Sequence, residues 1–233
     1  MFRVVFLSGS AYSVQAARVY QRIRHIEDLT CAAIVNEITG KRILQAGARS
    51  VVGRILTESG RHGETKDPTR CGISSLRGIP EIQIHTVSSI GSNESVDLLR
   101  KLDASVCVNT GGCGILRADF LKQAGMGVLN CHSGLPRIRG FNSLEWQLYH
   151  GLPLQLCAHL IEVGVDTGPI VAARPVDIVE PPTIRNFRSS YREEEAEVMA
   201  EAILKLYEQG VSVVQKQGES EGKQYFAMHY RLR

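Results

Sequence analysis

Short apolar runs alternate with stretches of helical period along most of this chain, and that alternation restricts the fold more than any other feature. Phe2–Leu7 and Leu29–Val35 are continuous apolar runs, as buried strands are. Between them, Ser13–Ile26 carries apolar residues at helical spacing. The order strand, helix, strand is typical of a parallel sheet wound with crossover helices. The sequence therefore predicts an α/β protein.

The same alternation continues toward the carboxyl terminus. Two predicted strands near the end are joined only by Gly164–Pro169, which is too short for a crossover helix, so at least one of them should run antiparallel. We expect a Rossmann-like, wound, mostly parallel sheet with helices on both faces and an antiparallel strand near the C-terminal part. The remaining predicted elements are a helix over Thr39–Leu56, a surface loop over Glu58–Arg77, a strand over Glu81–Val87, a helix over Asn93–Leu102, strands over Ala104–Asn109 and Met126–Cys131 with a short helix over Ala118–Ala124 between them, strands over Leu154–Val163 and Ile170–Ile178, and a helix capped by Thr183 that continues to about Gln209.

Size and composition agree with an ordinary soluble globular protein. The 233 residues are 43% hydrophobic and carry a net charge of +3, which is too small to indicate a nucleic-acid partner. We expect residues 1–209 to form one domain and residues 210–233 a small C-terminal appendage.

No run approaches the ~18 apolar residues of a membrane span, and the N-terminus enters a strand directly, so we expect a cytoplasmic protein without membrane contact. The six cysteines lack a Cys-x-x-Cys pair and are expected to be reduced thiols.

Three polar side chains stand out in glycine-, proline- and apolar-rich sequence. Asn130 and His132 lie at the end of the strand-like run Met126–His132, and their spacing of two places both on one face of the sheet. Asp166 follows in a loop bracketed by Gly164 and Gly168, and such a loop can bring a carboxylate back to an imidazole. In open α/β sheets, sites form at the carboxyl ends of strands. We expect a catalytic site here.

An amide, an imidazole and a carboxylate are suited to direct acyl transfer. The amide N–H of Asn130 can stabilise an oxyanion, while His132 carries the amine proton and Asp166 fixes the tautomer or stabilises the charged form of the imidazole. No serine or thiol nucleophile is required, and Cys131 should point to the opposite face, into the core. Taken singly, each residue has a plainer explanation, because strand-end histidines are often structural and Asp-Thr-Gly is a common turn.

The motifs together resemble the folate-dependent formyltransferase family. The chain reads Asn130-x-His132-Ser-Gly-Leu-Pro136-x-x-Arg139-Gly140 and later Asp166-Thr-Gly-Pro169, where the family has Asn-x-His-Pro-Ser-Leu-Leu-Pro, then Arg-Gly or Pro-Gly, then Asp-x-Gly-Pro. The similarity covers roughly residues 104–180 and includes the segment Gly111–Leu116. The first hundred residues agree with the family in pattern only.

This resemblance implies the co-substrate 10-formyltetrahydrofolate and an amine acceptor. It assigns Asn130, His132 and Asp166 to the catalytic positions. We expect no metal ion. His159 is expected either as a neighbouring supporting group or as a buried structural residue. The resemblance also implies that the pterin pocket is lined by Gly114, Ile115, Leu116, Glu162, Val163, Gly164 and Val165.

Departures from the family bear on the acceptor. The loop at Ser133–Pro136 is either one residue shorter than the family's loop or differently folded. Ser8-Gly9-Ser10 replaces the glycine- and asparagine-rich phosphate loop of the purine-pathway enzymes. Only 24 residues follow from Gly210 onward, so a tRNA acceptor and other nucleic acids are not expected. The sequence favours a small-molecule amine, such as an amino sugar nucleotide, with Ser8, Gly9, Ser10 and Arg139 as candidate acceptor-binding residues.

Alternatives remain open at this point. They are the phosphoribosylglycinamide formyltransferase of purine synthesis, a formyltetrahydrofolate hydrolase with the same three residues, and a nucleotide- or folate-binding module without catalysis. The last explains the polar residues poorly, and residues 1–36 lack Gly-x-Gly-x-x-Gly. The oligomeric state is open, with a homodimer among the alternatives.

Overall fold

A twisted seven-stranded sheet forms the centre of the protein. The computed structural model describes residues 1–36, 75–177, 184–218, 220–229 and 232, with the side chains of 184–190 excepted. The strands are β1 (Phe2–Ser8), β2 (Leu29–Asn36), β3 (Gln83–Val87), β4 (Val106–Asn109), β5 (Val128–Ser133), β6 (Ile138–Gly140), β7 (Gln155–Leu160), β8 (Ile170–Pro175) and β9 (Lys223–Tyr225). The α-helices of the described residues are α1 (Val14–Ile23), α2 (Asn93–Leu102), α3 (Ala118–Leu121), α4 (Ser143–Tyr149) and α5 (Ile184–Gln209).

The strand order is β3-β2-β1-β4-β5-β7-β8, and β6 and β9 form a separate parallel pair. The first five strands of the order are parallel, whereas β7 runs antiparallel to both of its neighbours. The predicted mostly parallel sheet with an antiparallel strand near the C-terminal part is therefore confirmed.

Two apolar layers cover the sheet, one on each face. Alternate residues of β1 separate between them: Val4 and Phe6 face the layer that contains α1 and α5, whereas Val5 and Leu7 face the layer that contains α2 and α3. Such alternation follows from the two-residue period of a strand. Helices on both faces are thus confirmed.

Capping residues explain where two of the helices begin. The Ser13 hydroxyl accepts from the backbone N–H of Ala16 at 3.2 Å at the start of α1, and the Ser92 hydroxyl accepts from Ser95 at 3.3 Å at the start of α2. These contacts satisfy N–H groups that have no partner within the helix. α5 ends at Gln209 as predicted, while its expected cap, Thr183, is outside the described residues.

Some expectations concern parts of the chain that the structure does not describe. The predicted helix over Thr39–Leu56 and the predicted loop as far as residue 74 lie outside the described residues. The end of that loop is the short 3₁₀ helix Leu76–Gly78. In the described part of the chain, no helix has the length and apolar character needed to cross a membrane.

Candidate active site

Asn130, His132 and Asp166 meet on the sheet face that α2 and α3 share. Strand β5 carries Asn130 and His132 on this face, while Cys131 between them packs against the opposite core layer. Asp166 comes from the loop between β7 and β8, with a φ of 52° in the left-handed region that aspartate tolerates. Its Oδ2 lies 3.1 Å from His132 Nε2. The structure thus brings together the three predicted residues.

The contacts of His132 define its tautomer. Its Nε2 lies 2.9 Å from the backbone oxygen of Gly140 as well as close to Asp166. Because a carbonyl oxygen only accepts, Nε2 carries a proton and donates it. The Gly140 N–H in turn donates to Asp166 Oδ2 at 2.9 Å, which holds the carboxylate in place. Gly140 therefore binds both partners of the pair through its backbone.

The other imidazole nitrogen of His132 has no partner among the described residues. Nδ1 is buried and makes no hydrogen bond. With the proton on Nε2, Nδ1 carries the lone pair of the neutral ring and can accept a proton. A buried polar atom without a partner costs stability unless a ligand uses it. The geometry therefore offers a base directed away from Asp166.

His159 lies beside the three residues on the antiparallel strand. The β5–β7 register pairs it directly with Asn130, and its Nε2 is 3.1 Å from Asn130 Nδ2 and 3.7 Å from Asp166 Oδ1. The side chain is almost fully buried, and this burial lowers the pKa of His159 to about 4, although Asp166 acts in the opposite direction. His159 is therefore neutral at physiological pH, so its contact with Asp166 is not an ion pair.

Comparison with known proteins shows the family of the chain. The model of the formyl transferase family matches residues 2–203, which is most of the chain. The chain belongs to this family. The resemblance to folate-dependent formyltransferases in the sequence is thereby confirmed, and the protein is a formyl transferase by family.

Individual relatives are distant. The chain is 27% identical over 164 residues to methionyl-tRNA formyltransferase of Rickettsia bellii, a match that covers 70% of this chain and 51% of that protein. Phosphoribosylglycinamide formyltransferase from Bacillus halodurans superposes with a TM-score of 0.60 at 16% identity, covering 89% of this chain and 96% of that one. A sugar N-formyltransferase from Shewanella superposes with a TM-score of 0.59 at 14% identity, covering 97% of this chain and 76% of that one. The chain spans about half the length of the curated relatives it matches.

Two exposed segments lie on the same side of the sheet as the three predicted catalytic residues, and both were predicted to line the pterin pocket. Leu116 and Ile161 anchor them on the same apolar layer, the one shared with α2 and α3. Beyond these anchors Ile115 is 94% exposed and Val163 is 89% exposed. Burial of such side chains against a ligand is favourable, because it removes apolar surface from water. The predicted pocket residues thus offer an apolar surface on both segments.

The loop after β1, where acceptor contacts were predicted, is packed against the loop after β4. The Gly9 N–H donates to the Gly111 carbonyl at 2.8 Å, and a Cβ on Gly112 would come within 2.8 Å of the Gly9 Cα. Ser8 is buried, and the Ser10 hydroxyl accepts from the Tyr12 N–H at 3.1 Å. Gly9 has no free backbone donor for an anion in this structure.

Arg139 is buried and contacts the C-terminal segment. Its Nε and one terminal nitrogen donate to Gln217 Oε1 at 3.3 and 3.2 Å, and the same terminal nitrogen donates to the Gly218 carbonyl at 3.3 Å. Gln217 Nε2 then donates to the backbone oxygens of Asp166 and Gly168 at 3.0 and 2.6 Å. These contacts favour a role for Arg139 in holding the Asp166 loop.

Two groups at the site were not anticipated from the sequence. Gln217 belongs to the segment after Gly210, whose irregular sequence gives no period from which a contact can be inferred. Asn109 donates from Nδ2 to Asn130 Oδ1 at 3.0 Å. It ends an apolar strand pattern, and that position at the carboxyl end of a parallel strand was a signal that could have identified it.

Proposed function

We propose that the protein is an N-formyltransferase that moves the formyl group of 10-formyltetrahydrofolate to the amine of a small-molecule acceptor. The observation that carries this proposal is the arrangement of His132, whose Nε2 is engaged by Gly140 and Asp166 while its buried Nδ1 has no partner among the described residues. Membership of the formyl transferase family agrees with the reaction type.

In the proposed reaction, the acceptor nitrogen bonds to the formyl carbon, the bond from that carbon to N10 of the folate breaks, and the amine proton ends on N10. His132 Nδ1 accepts the amine proton and returns it to the leaving nitrogen. Asp166, beside Nε2, stabilises the imidazolium that exists in between. No covalent attachment to the protein is needed.

Asn130 supplies the hydrogen bond to the formyl oxygen. Its Nδ2 carries two protons, and among the described residues His159 Nε2 is the acceptor for one of them. The second proton is available to the oxygen as negative charge develops on it. A donor positioned before the reaction stabilises such a charge strongly, because no reorganisation is required.

We assign the folate donor to the two exposed segments, with Gly114, Ile115 and Leu116 on one side and Glu162, Val163, Gly164 and Val165 on the other. The exposed apolar side chains of Ile115 and Val163 support this assignment, since burial of a flat pterin ring against them stabilises the complex. Val163→Glu should raise KM for the donor and leave kcat nearly unchanged. Val211→Glu, at a half-exposed valine in the C-terminal segment, is the matched control.

The deciding experiment is a screen of amines with 10-formyltetrahydrofolate, in which tetrahydrofolate formation is measured. Transfer to an amino sugar nucleotide or another metabolite amine supports the proposal, and transfer to glycinamide ribonucleotide assigns the purine-pathway reaction instead. Rapid formate release without any amine would identify a hydrolase.

His132→Ala and Asp166→Ala should abolish transfer with little change in the fold, and wild-type turnover by Asp166→Ala would overturn the assignment of the site.

A further inference from the structure

Asn109, Asn130 and His159 form a polar row across three neighbouring strands. The β4–β5 register pairs Val108 with Leu129, which aligns the next residues, Asn109 and Asn130. The antiparallel β5–β7 register pairs Asn130 with His159. Residues paired in this way point to the same face of a sheet. The three side chains therefore lie side by side, and each contacts its neighbour.

One end of the row fixes the amide of Asn109. The backbone N–H of Gly111 donates to Asn109 Oδ1 at 3.0 Å, so this oxygen faces the loop after β4. The nitrogen of the same amide must then point the other way, where it donates to Asn130 Oδ1 at 3.0 Å. A backbone N–H is only a donor, so the reversed orientation of Asn109 would lose the bond to Gly111.

The other end of the row fixes the same direction independently. His159 Nδ1 is 3.1 Å from the carbonyl oxygen of Leu160, which only accepts, so Nδ1 carries the ring proton. In the neutral ring, Nε2 is then an acceptor and takes a proton from Asn130 Nδ2. Burial keeps His159 neutral. Every hydrogen bond in the row therefore has its donor on the β4 side.

The orientation of Asn130 matters because its two amide atoms have nearly the same size and opposite hydrogen-bonding character. Nδ2 directed at a developing oxyanion stabilises it, whereas Oδ1 in the same place would repel it. Two constraints hold the productive orientation: the acceptor at His159 and the donor at Asn109.

We propose that Asn109 is a positioning residue for formyl transfer, which fixes the Asn130 amide so that its nitrogen and not its oxygen is presented to the formyl group. This inference rests on the proposed function, because it requires Asn130 to be the donor to the formyl oxygen. Asn109 acts through Asn130 and takes no part in proton transfer.

A double-mutant cycle separates positioning from general support of the fold. We expect Asn130→Ala to lower kcat by about 100-fold or more, as loss of one oxyanion donor does. Asn109→Leu should lower kcat by roughly 5- to 10-fold, with KM for the donor unchanged, since one neutral hydrogen bond is lost. In the Asn130→Ala background, Asn109→Leu should have no further effect. If the two losses multiply, the proposal is wrong.

A second measurement does not depend on activity. Comparison of the ¹⁵N–¹H spectra of wild type and Asn130→Ala identifies the side-chain amide of Asn130. In Asn109→Leu, these resonances should shift and their protons should exchange faster with water. If they do not change, the inference fails even when the enzyme is active. If wild type transfers no formyl group but the resonances do change, the proposed function fails and the positioning contact stands.

Asn36 provides a matched control. Its amide donates to the Gly112 carbonyl at 3.1 Å and accepts from the Ile90 N–H at 2.9 Å, so it bonds the same loop without contact to Asn130. Asn36→Leu should leave the Asn130 amide resonances in place.

Should Asn109→Leu fail to fold, Asn109→Asp retains the acceptor for Gly111 and replaces the donor with a carboxylate at pH 8. It should lower kcat at least as much and shift the same resonances, and unchanged resonances or kcat would overturn the inference.

Discussion

Gln217 donates a hydrogen bond from its side-chain nitrogen to the backbone oxygen of Asp166, 3.0 Å away. The same nitrogen contacts Gly168, and Gln217 Oε1 accepts from buried Arg139. A side chain from the C-terminal segment therefore fixes the backbone of the loop that carries the carboxylate. Further contacts join this segment to the rest of the protein, including the pairing of β9 with β6.

Gln217→Ala should weaken this support. We expect kcat to fall by roughly 10-fold and the free energy of unfolding by about 1–3 kcal/mol, because Arg139 and two backbone oxygens each lose a hydrogen bond. Steady-state kinetics and urea unfolding measure the two effects. Gln224→Ala, at an exposed side chain of the same segment, is the control and should change neither. Equal behaviour of the two variants would show that Gln217 does not hold the loop.

Gly140 should tolerate no side chain. Its φ is 93°, and a Cβ there would overlap the carbonyl oxygen of Tyr225 in the paired strand β9. Gly140→Ala should displace the backbone that binds both His132 and Asp166, with a loss of several kcal/mol in stability and of nearly all activity.

Gly151→Ala is the control for backbone strain alone. Gly151 also has a positive φ, 62°, but no atom lies near the position of an added Cβ. We expect it to lose only about 1 kcal/mol and to retain activity. Thermal unfolding and an activity assay compare the two variants, and an active Gly140→Ala enzyme would contradict the geometry described for His132.

Much of the fold was predictable because the signals are local. The apolar run of β1 and the amphipathic period of α1 each show in a few consecutive residues. The same holds for Asn130 and His132, since their common face follows from the two-residue period of a strand. The short connection before β8 was enough to predict an antiparallel strand.

The supporting groups depend on registers that a single sequence does not reveal. His159 was a candidate by proximity to Asp166, but its pairing with Asn130 depends on how β7 is aligned against β5. The contact of Asn109 with Asn130 likewise requires the β4–β5 register. Gln217 is 51 residues from Asp166 and belongs to no periodic element, so only the tertiary structure places it.

Burial of neutral His159 predicts a loss of stability in acid. Its pKa is about 4 in the folded protein against 6.5 as the ordinary value, so the unfolded chain binds the proton first. The folded protein keeps its full stability with respect to this group above pH 6.5. As the pH falls from 6.5 toward 4, the free energy of unfolding decreases by on the order of 3 kcal/mol. Urea unfolding across this range measures it.

His159→Gln isolates this contribution from the other groups that titrate. The glutamine amide can still accept from Asn130 and donate to the Leu160 carbonyl, but it binds no proton. The difference in unfolding free energy between wild type and His159→Gln should therefore shrink between pH 6.5 and 4. His25→Gln, at an exposed histidine, is the control and should parallel wild type. A constant difference for His159→Gln would contradict the neutral state of the ring.

Cys131, between the two catalytic candidates on β5, should be inert. Burial raises the pKa of the Cys131 thiol well above its ordinary value and that of Cys157 to about 11, so neither forms the reactive thiolate at neutral pH. In a Cys71→Ser variant, iodoacetamide at pH 7.5 should leave the five described cysteines unmodified in the folded protein and alkylate all five in denaturant. Mass spectrometry counts the modified sites. Rapid alkylation of Cys131 accompanied by loss of activity would point to a thiol nucleophile, which direct transfer between donor and amine does not require.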